Sequence, residues 1–390
     1  MIADPLPLLS PPAAYEAQAA ALLAAFRAGD PAAAAVIHRH HPRFVDPAVP
    51  WRPRELAAGE LASAGLDLDA ARLAVARGYS FRDWPALAAH VAATIDPGSP
   101  VHAFERAAEA VITGDDAALD RLLAADPTLA RARSSRVTDH DPPVHRATLL
   151  HYLAANGVED HRQRSAPGAV AIAARLVAAG AEPDALAGMY GGEYATLSML
   201  ASSGPPAEAG VQVPLIHALL DAGADVDGVG SARWGSNVRS ALAFGCVAAA
   251  EALVARGARI ATVAIAAGLG REDDVARMLP AASADDRHAA LALAAQLGHA
   301  AIVGALLDAG EDPDRYNPDG LHAHATPLHH AALGGHAAVV RLMIARGARL
   351  DLGDRLWRAT PQGWARHAGH ADLARLLAEA EAEAERSRPQ

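Results

Sequence analysis

Apolar residues recur along this chain in short bursts of helical spacing, each closed by a glycine. Val339, Val340, Leu342, Met343 and Ile344 give one helix a buried side before Gly347-Ala348. Residues 302–307 do the same before Gly310, and residues 249–254 before Gly257-Ala258. Leu-rich stretches end likewise at Gly180-Ala181 and Gly223-Ala224. Each burst is preceded by a shorter, Ala-rich segment and a second glycine, so the pattern predicts pairs of short antiparallel helices.

One pair is written most completely. Thr326-Pro327-Leu328-His329-His330-Ala331-Ala332 leads to Gly335-His336 and then to the burst at 339–344. Thr326 and Pro327 suit a helix start: a hydroxyl can take up an orphan N–H, and proline in the first turn has none to leave unpaired. Ala331 and Ala332 are small enough for neighbouring helices to approach closely. Gly335 can end the first helix in a left-handed conformation. The frame recurs at Thr360-Pro361-Gln362-Gly363-Trp364-Ala365 with Gly369-His370, and the polar run 379–386 reads as a terminal cap. Upstream it is marked by Gly298-His299, Gly270-Arg271 and Gly245-Cys246, then by first helices at 196–201 and 148–154, and it starts at Gly114-Asp115.

These segments resemble ankyrin repeats, units of about 33 residues in which a turn and two helices stack on the next copy. Counted by glycine anchors, about eight units fall between 101 and 386, more than the roughly three a solenoid needs. Gly78-Tyr79-Ser80-Phe81-Arg82-Asp83-Trp84-Pro85 resembles the helical lead-in of many bacterial ankyrin-repeat proteins. The resemblance implies an all-α fold: an ankyrin-repeat solenoid with finger loops over 101–386, preceded by a helical N-terminal region at 1–100. It further implies that His329 braces its own turn, that Tyr79, Phe81 and Trp84 seal the end of the stack, and that the molecule holds a partner.

Composition narrows the function. The chain has 390 residues, 34 basic against 45 acidic side chains and a net charge of −11, which gives no sequence-wide footprint for phosphate backbones. Nucleic acid is not expected as a partner. Cys246 is the single cysteine, which excludes an intramolecular disulfide and fits a reducing compartment. The N-terminus lacks the basic start and apolar run of a signal peptide, and no stretch approaches ~18 uncharged apolar residues. The expectation is a cytoplasmic protein without membrane contact.

Departures from the repeat frame point to candidate sites, because insertions map to loops. Two adjacent repeats carry insertions, at 159–168 and 205–212. Fingers are long at 131–146, 182–194, 225–235 and 311–325 and nearly absent at 259–260 and 282–286, which predicts a central notch. Fingers and first helices carry Tyr152, Tyr190, Tyr194, Trp234, Arg239, His322, His324, His330, Trp357 and Trp364, in a chain with only 4% aromatic residues. Tyr, Trp and Arg are the types that dominate interface energies, so these ten form the expected protein-binding surface; Trp357 and Trp364 could instead close the end of the core.

No phosphate loop, His-Glu-x-x-His or Gly-x-Ser-x-Gly elbow is present, so no catalytic residue and no cofactor are assigned. The 19 histidines, notably His322-Ala323-His324 before His329 and His330, lack the carboxylate or cysteine companions of a metal site. The leading reading is a non-enzymatic binding module for a protein. The alternative is a small-molecule or metal pocket formed by His151, Glu159, Arg162, Tyr190, Gln212 and Arg239 across the inserted repeats.

Overall fold

The computed structural model describes residues 5–230 and 234–386. The chain is predominantly helical and divides between residues 232 and 233 into two compact units.

In the first unit, helices Pro12–Arg27 and Pro31–His40 meet at a bend of 117°. Gly29 turns the chain there with φ +82°, and Asp30 accepts the Ala32 N–H at 2.9 Å to start the second helix. No single helix among the described residues is long and apolar enough to cross a membrane. Helices Leu68–Gly78 and Trp84–Ile95 complete the N-terminal part, and Tyr15, Val75, Tyr79, Phe81, Leu87 and Val91 form one of its cores. The Trp84 ring stays partly buried at the margin of that core.

Helix Trp84–Ile95 packs directly on helix Pro100–Thr113. The segment at 96–100 is therefore a tight turn: the Asp96 side chain accepts the Gly98 N–H, and Ser99 accepts that of Val101. Three helical pairs follow: Pro100–Thr113 with Asp116–Ala125, Leu149–Ala154 with Ala169–Ala178, and Thr196–Ala201 with Gln212–Asp221. Leu149–Ala154 and Thr196–Ala201 are buried along their whole length, as expected of helices covered on every side.

Two small antiparallel strand pairs stand beside the helices that an all-α reading predicts. Val45–Asp46 pairs with Val49–Pro53, and Ala187–Met189 pairs with Gly192–Tyr194. The second pair is the long finger at 182–194. Tyr190 and Gly191 both have positive φ, +53° and +73°, the two-residue turn whose twist suits a hairpin.

Among the described residues the second unit contains five helical pairs, starting with Asn237–Ala243 and Val247–Ala255 and ending with Pro361–His367 and Ala371–Arg386. First helices stack in order, Val263–Gly268 on Ala284–Gln296, then Pro327–Leu333, then Pro361–His367. Second helices Glu272–Met278, Ala300–Asp308 and Ala337–Ala345 stack beside them.

Histidines tie successive pairs together. The Thr326 N–H donates to Nδ1 of His329 at 3.2 Å, which leaves Nε2–H to donate to the Ala359 carbonyl at 3.1 Å in the next pair. Thr148 and His151 repeat this arrangement in the first unit, with Tyr194 as the receiving carbonyl at 3.1 Å. A second set runs the other way. His299, His336 and His370 bond through Nε2 to the carbonyls of Gly268, Gln296 and Leu333 in the preceding pair, at 3.0, 2.9 and 3.0 Å. Glycine is required at Gly335, where φ is +70° and a Cβ would come within 2.8 Å of the His370 ring.

Candidate functional site

Six of the ten residues expected at the binding surface come together in the second unit. The Trp234 ring meets Phe244 edge-on at 5.5 Å between centroids, Phe244 meets His322 at 5.5 Å, and His322 meets His330 at 5.0 Å. The row continues from His330 to Trp364 at 5.3 Å, from Trp364 to His324 at 5.8 Å, and from His324 to Trp357 at 5.4 Å. Four of these contacts are edge-to-face, and His322–His330 and Trp364–His324 are tilted; edge-to-face aromatic pairs add about 0.5–1.5 kcal/mol beyond the area they bury.

Different elements supply the members. Phe244 caps the end of helix Asn237–Ala243, His322 and His324 stand on the 311–325 finger, and His330 and Trp364 belong to first helices. His322 has a positive φ of +60° and its Nε2 donates to the Ala243 carbonyl at 2.8 Å. The long finger thus reaches back past the two pairs with short fingers. Where the uneven fingers predict an open notch, the imidazole of His322 is laid across it.

Members of the row range from exposed to buried, with Trp234, His322 and His324 half-buried. Phe244 is 43% and Trp357 51% exposed, while His330 and Trp364 are buried. The Trp364 indole N–H donates to the Asp354 carboxylate at 3.0 Å, and the same carboxylate accepts the N–H groups of Leu356, Trp357 and Ala359. That bonding fixes the turn that presents Trp357. Burial, then the neighbouring imidazoles His322, His324 and His329, push His330 down to about 3; burial and His322 also lower His324. Both rings are therefore neutral near pH 7 and behave as aromatic surface. Arg239 stands beside the row, its guanidinium donating to the Trp234 carbonyl at 3.1 Å.

No group of three or more His, Cys, Asp or Glu residues is arranged to hold a metal ion among the described residues. The reason is visible in the bonding: both nitrogens of His329 and Nε2 of His322 are already committed to backbone partners.

The remaining expected residues lie in the first unit. Tyr152 and Tyr194 are buried. Tyr152 donates its hydroxyl to Glu159 at 3.2 Å, and burial followed by Glu159 and Glu105 raises its pKa. Tyr190 is exposed on the hairpin turn and donates to Asn156 at 3.1 Å. Of the alternative pocket, His151 serves as the brace described above, held down to about 4 by burial, and Gln212 donates its amide to the Leu200 carbonyl at 2.9 Å and that of Ser203 at 3.1 Å. Arg239 belongs to the second unit.

Glu159 and Arg162 do meet, in a buried ion network that the sequence reading did not anticipate. Insertion 159–168 begins with a tight helical turn, Asp160–Arg162, that carries the Arg162 guanidinium to Glu105 at 2.7 Å. Arg136, from the 131–146 finger, binds Glu105 through Nε at 3.1 Å and Nη2 at 3.2 Å, and its Nε lies 3.0 Å from Glu159. Burial alone would raise both carboxyls. The guanidiniums of Arg136 and Arg162 outweigh it, holding Glu105 well below the usual range and Glu159 below it.

A family model described as ankyrin repeats, in three copies, matches residues 291–388. That stretch contains His322, His324, His330, Trp357 and Trp364. No curated protein matches the chain. Ankyrin repeats generally mediate protein–protein interactions.

Proposed function

We propose that this protein is a non-enzymatic binding module, a solenoid of ankyrin-type repeats over 101–386 with residues 1–100 as a helical lead-in, that grips a protein partner through its second unit. The supporting observation is the row Trp234–Phe244–His322–His330–Trp364–His324–Trp357. Phe244 and Trp357 face solvent while hydrogen bonds hold Trp364 and His322 in place, the arrangement of rigid aromatic anchors that lose little entropy on binding. With His324 and His330 neutral, the partner is read as a segment with apolar or aromatic side chains rather than a charged one.

A Phe244→Ala/Trp357→Ala chain tests this. Titrated against a partner isolated on the wild-type protein, it binds at least about tenfold more weakly with unchanged helicity, whereas Arg346→Ala, just past the end of helix Ala337–Ala345, leaves affinity unchanged. Equal affinity of wild type and double variant removes the row as the gripping surface.

A further inference from the structure

A cavity of about 280 Å³ lies in the first unit beside the ion network. Tyr15, Tyr79, Phe81, Leu87 and Val91 line its apolar side, and the Tyr15 and Tyr79 rings meet there edge-on at 5.3 Å between centroids. Residues 5–8 complete the lining, with the Leu6 N–H donating to the Tyr79 hydroxyl at 2.7 Å. An engineered apolar cavity of about 150 Å³ admits a benzene ring, so this one has room for a two-ring body. On the polar side, Glu109 is the group with acceptor capacity to spare. Its side chain is 35% exposed and lines the cavity. It accepts from Arg162 at 3.4 Å and from Arg164 at 3.5 Å, both longer than the ~2.7–2.9 Å of a full charge-assisted bond. A carboxylate has about four acceptor positions, so Glu109 can take a further donor and keep both arginines.

We infer that this cavity binds a small uncharged molecule with a flat aromatic body and one N–H or O–H donor, the donor going to the Glu109 carboxylate. Charge balance requires the guest to be neutral. The guanidiniums of Arg136, Arg162 and Arg164 face the carboxylates of Glu105, Glu159 and Glu109. Burial, followed by Arg136, lowers His90 and holds His161 down to about 4, so both imidazoles lining the cavity are neutral near pH 7. A guest of either sign would bring a charge with no partner left to meet it. The tyrosine pair and Phe81 suit an aromatic body, because rings gain from edge-on and offset contacts beyond the area they bury. The site uses no residue of the aromatic row, so it stands or falls apart from the gripping surface.

Calorimetric titration of the full chain with indole tests this, beside 1-methylindole, which lacks the donor, and indole-3-carboxylate, which adds a negative charge. Saturable 1:1 binding of indole is expected, with the other two at least about tenfold weaker. Glu109→Leu lowers the affinity for indole at least about tenfold and leaves that for 1-methylindole unchanged, a split that a general loosening of the cavity does not produce. The inference is overturned by absence of saturable indole binding, by 1-methylindole or indole-3-carboxylate binding as tightly as indole, or by a folded Glu109→Leu chain that binds indole like the wild type. Should that variant lose helicity, diethyl pyrocarbonate modification of His161 in the wild-type chain, read by peptide mass, decides: indole slows it, and no slowing overturns the site.

Discussion

Arg136 grips both carboxylate oxygens of Glu105, through Nε at 3.1 Å and Nη2 at 3.2 Å, although one residue stands in a finger loop and the other inside a buried helix face. Glu105 sits among Phe104, Ala108 and Val111, a stripe that elsewhere in the helix is apolar. Each ion is tolerable there only because the other is present.

Arg136→Met is therefore expected to cost about 3–5 kcal/mol, because it leaves two buried carboxylates facing one arginine. Adding Glu105→Gln should restore much of that loss. Hydrogen exchange of helix Pro100–Thr113 reads it locally; a double variant no better than the single one refutes the pairing.

The two threonine–histidine braces should be interchangeable in cost. His151→Ala and His329→Ala each remove a ring that accepts one backbone N–H and donates to the next pair's carbonyl, leaving buried groups unpaired at about 1–3 kcal/mol each. Melting followed by circular dichroism checks this. Loss of stability at His329 alone would show that His151 does other work.

Acid should weaken the fold in two stages. Burial holds His151 at about 4 and His330 at about 3, below the ordinary value near 6.5, so protons bind the unfolded chain first. Their contribution is complete above about pH 6.5 and declines as pH falls toward their folded values, by about 1.4 kcal/mol per pH unit for each ring. Glu105 and Glu159, held low, contribute above about pH 4.3 and are lost only below it. A melting temperature that stays level from pH 7 to 5 contradicts the first stage.

Asp354→Ala should disorganise the binding row without touching its rings. It removes the acceptor of three backbone N–H groups and of the Trp364 indole, at a cost of about 2–4 kcal/mol to the end of the stack. Tryptophan emission shifts to the red as Trp364 gains water. Asp354→Asn, which keeps one acceptor oxygen, should fall between.

Much of the helical frame is legible because its signals are local. Thr326, Pro327 and Gly335 act on their own turns, and the Gly-His pairs mark where second helices begin. The aromatic row is largely legible too, since Trp234, His322, His324, His330, Trp357 and Trp364 fall on fingers and first helices. Phe244 escaped, because a large ring just before Gly245 belongs to no motif. Tyr152 and Tyr194 show the converse limit: a first helix covered on all sides, or the inward face of a hairpin, gives its aromatics no exposed surface, and period alone cannot reveal that. The ion network joins residues 31 and 57 positions apart. Its only local trace is Glu105, a charge where the helix pattern asks for an apolar residue.

The Gly-His bonds all point backward, from each helical pair to the carbonyl of the one made before it. During synthesis each of these three hairpins therefore arrives carrying its own fastener for a surface that already exists. Duplication of such a hairpin needs no new acceptor, because each copy brings both the imidazole donor and the carbonyl its successor uses.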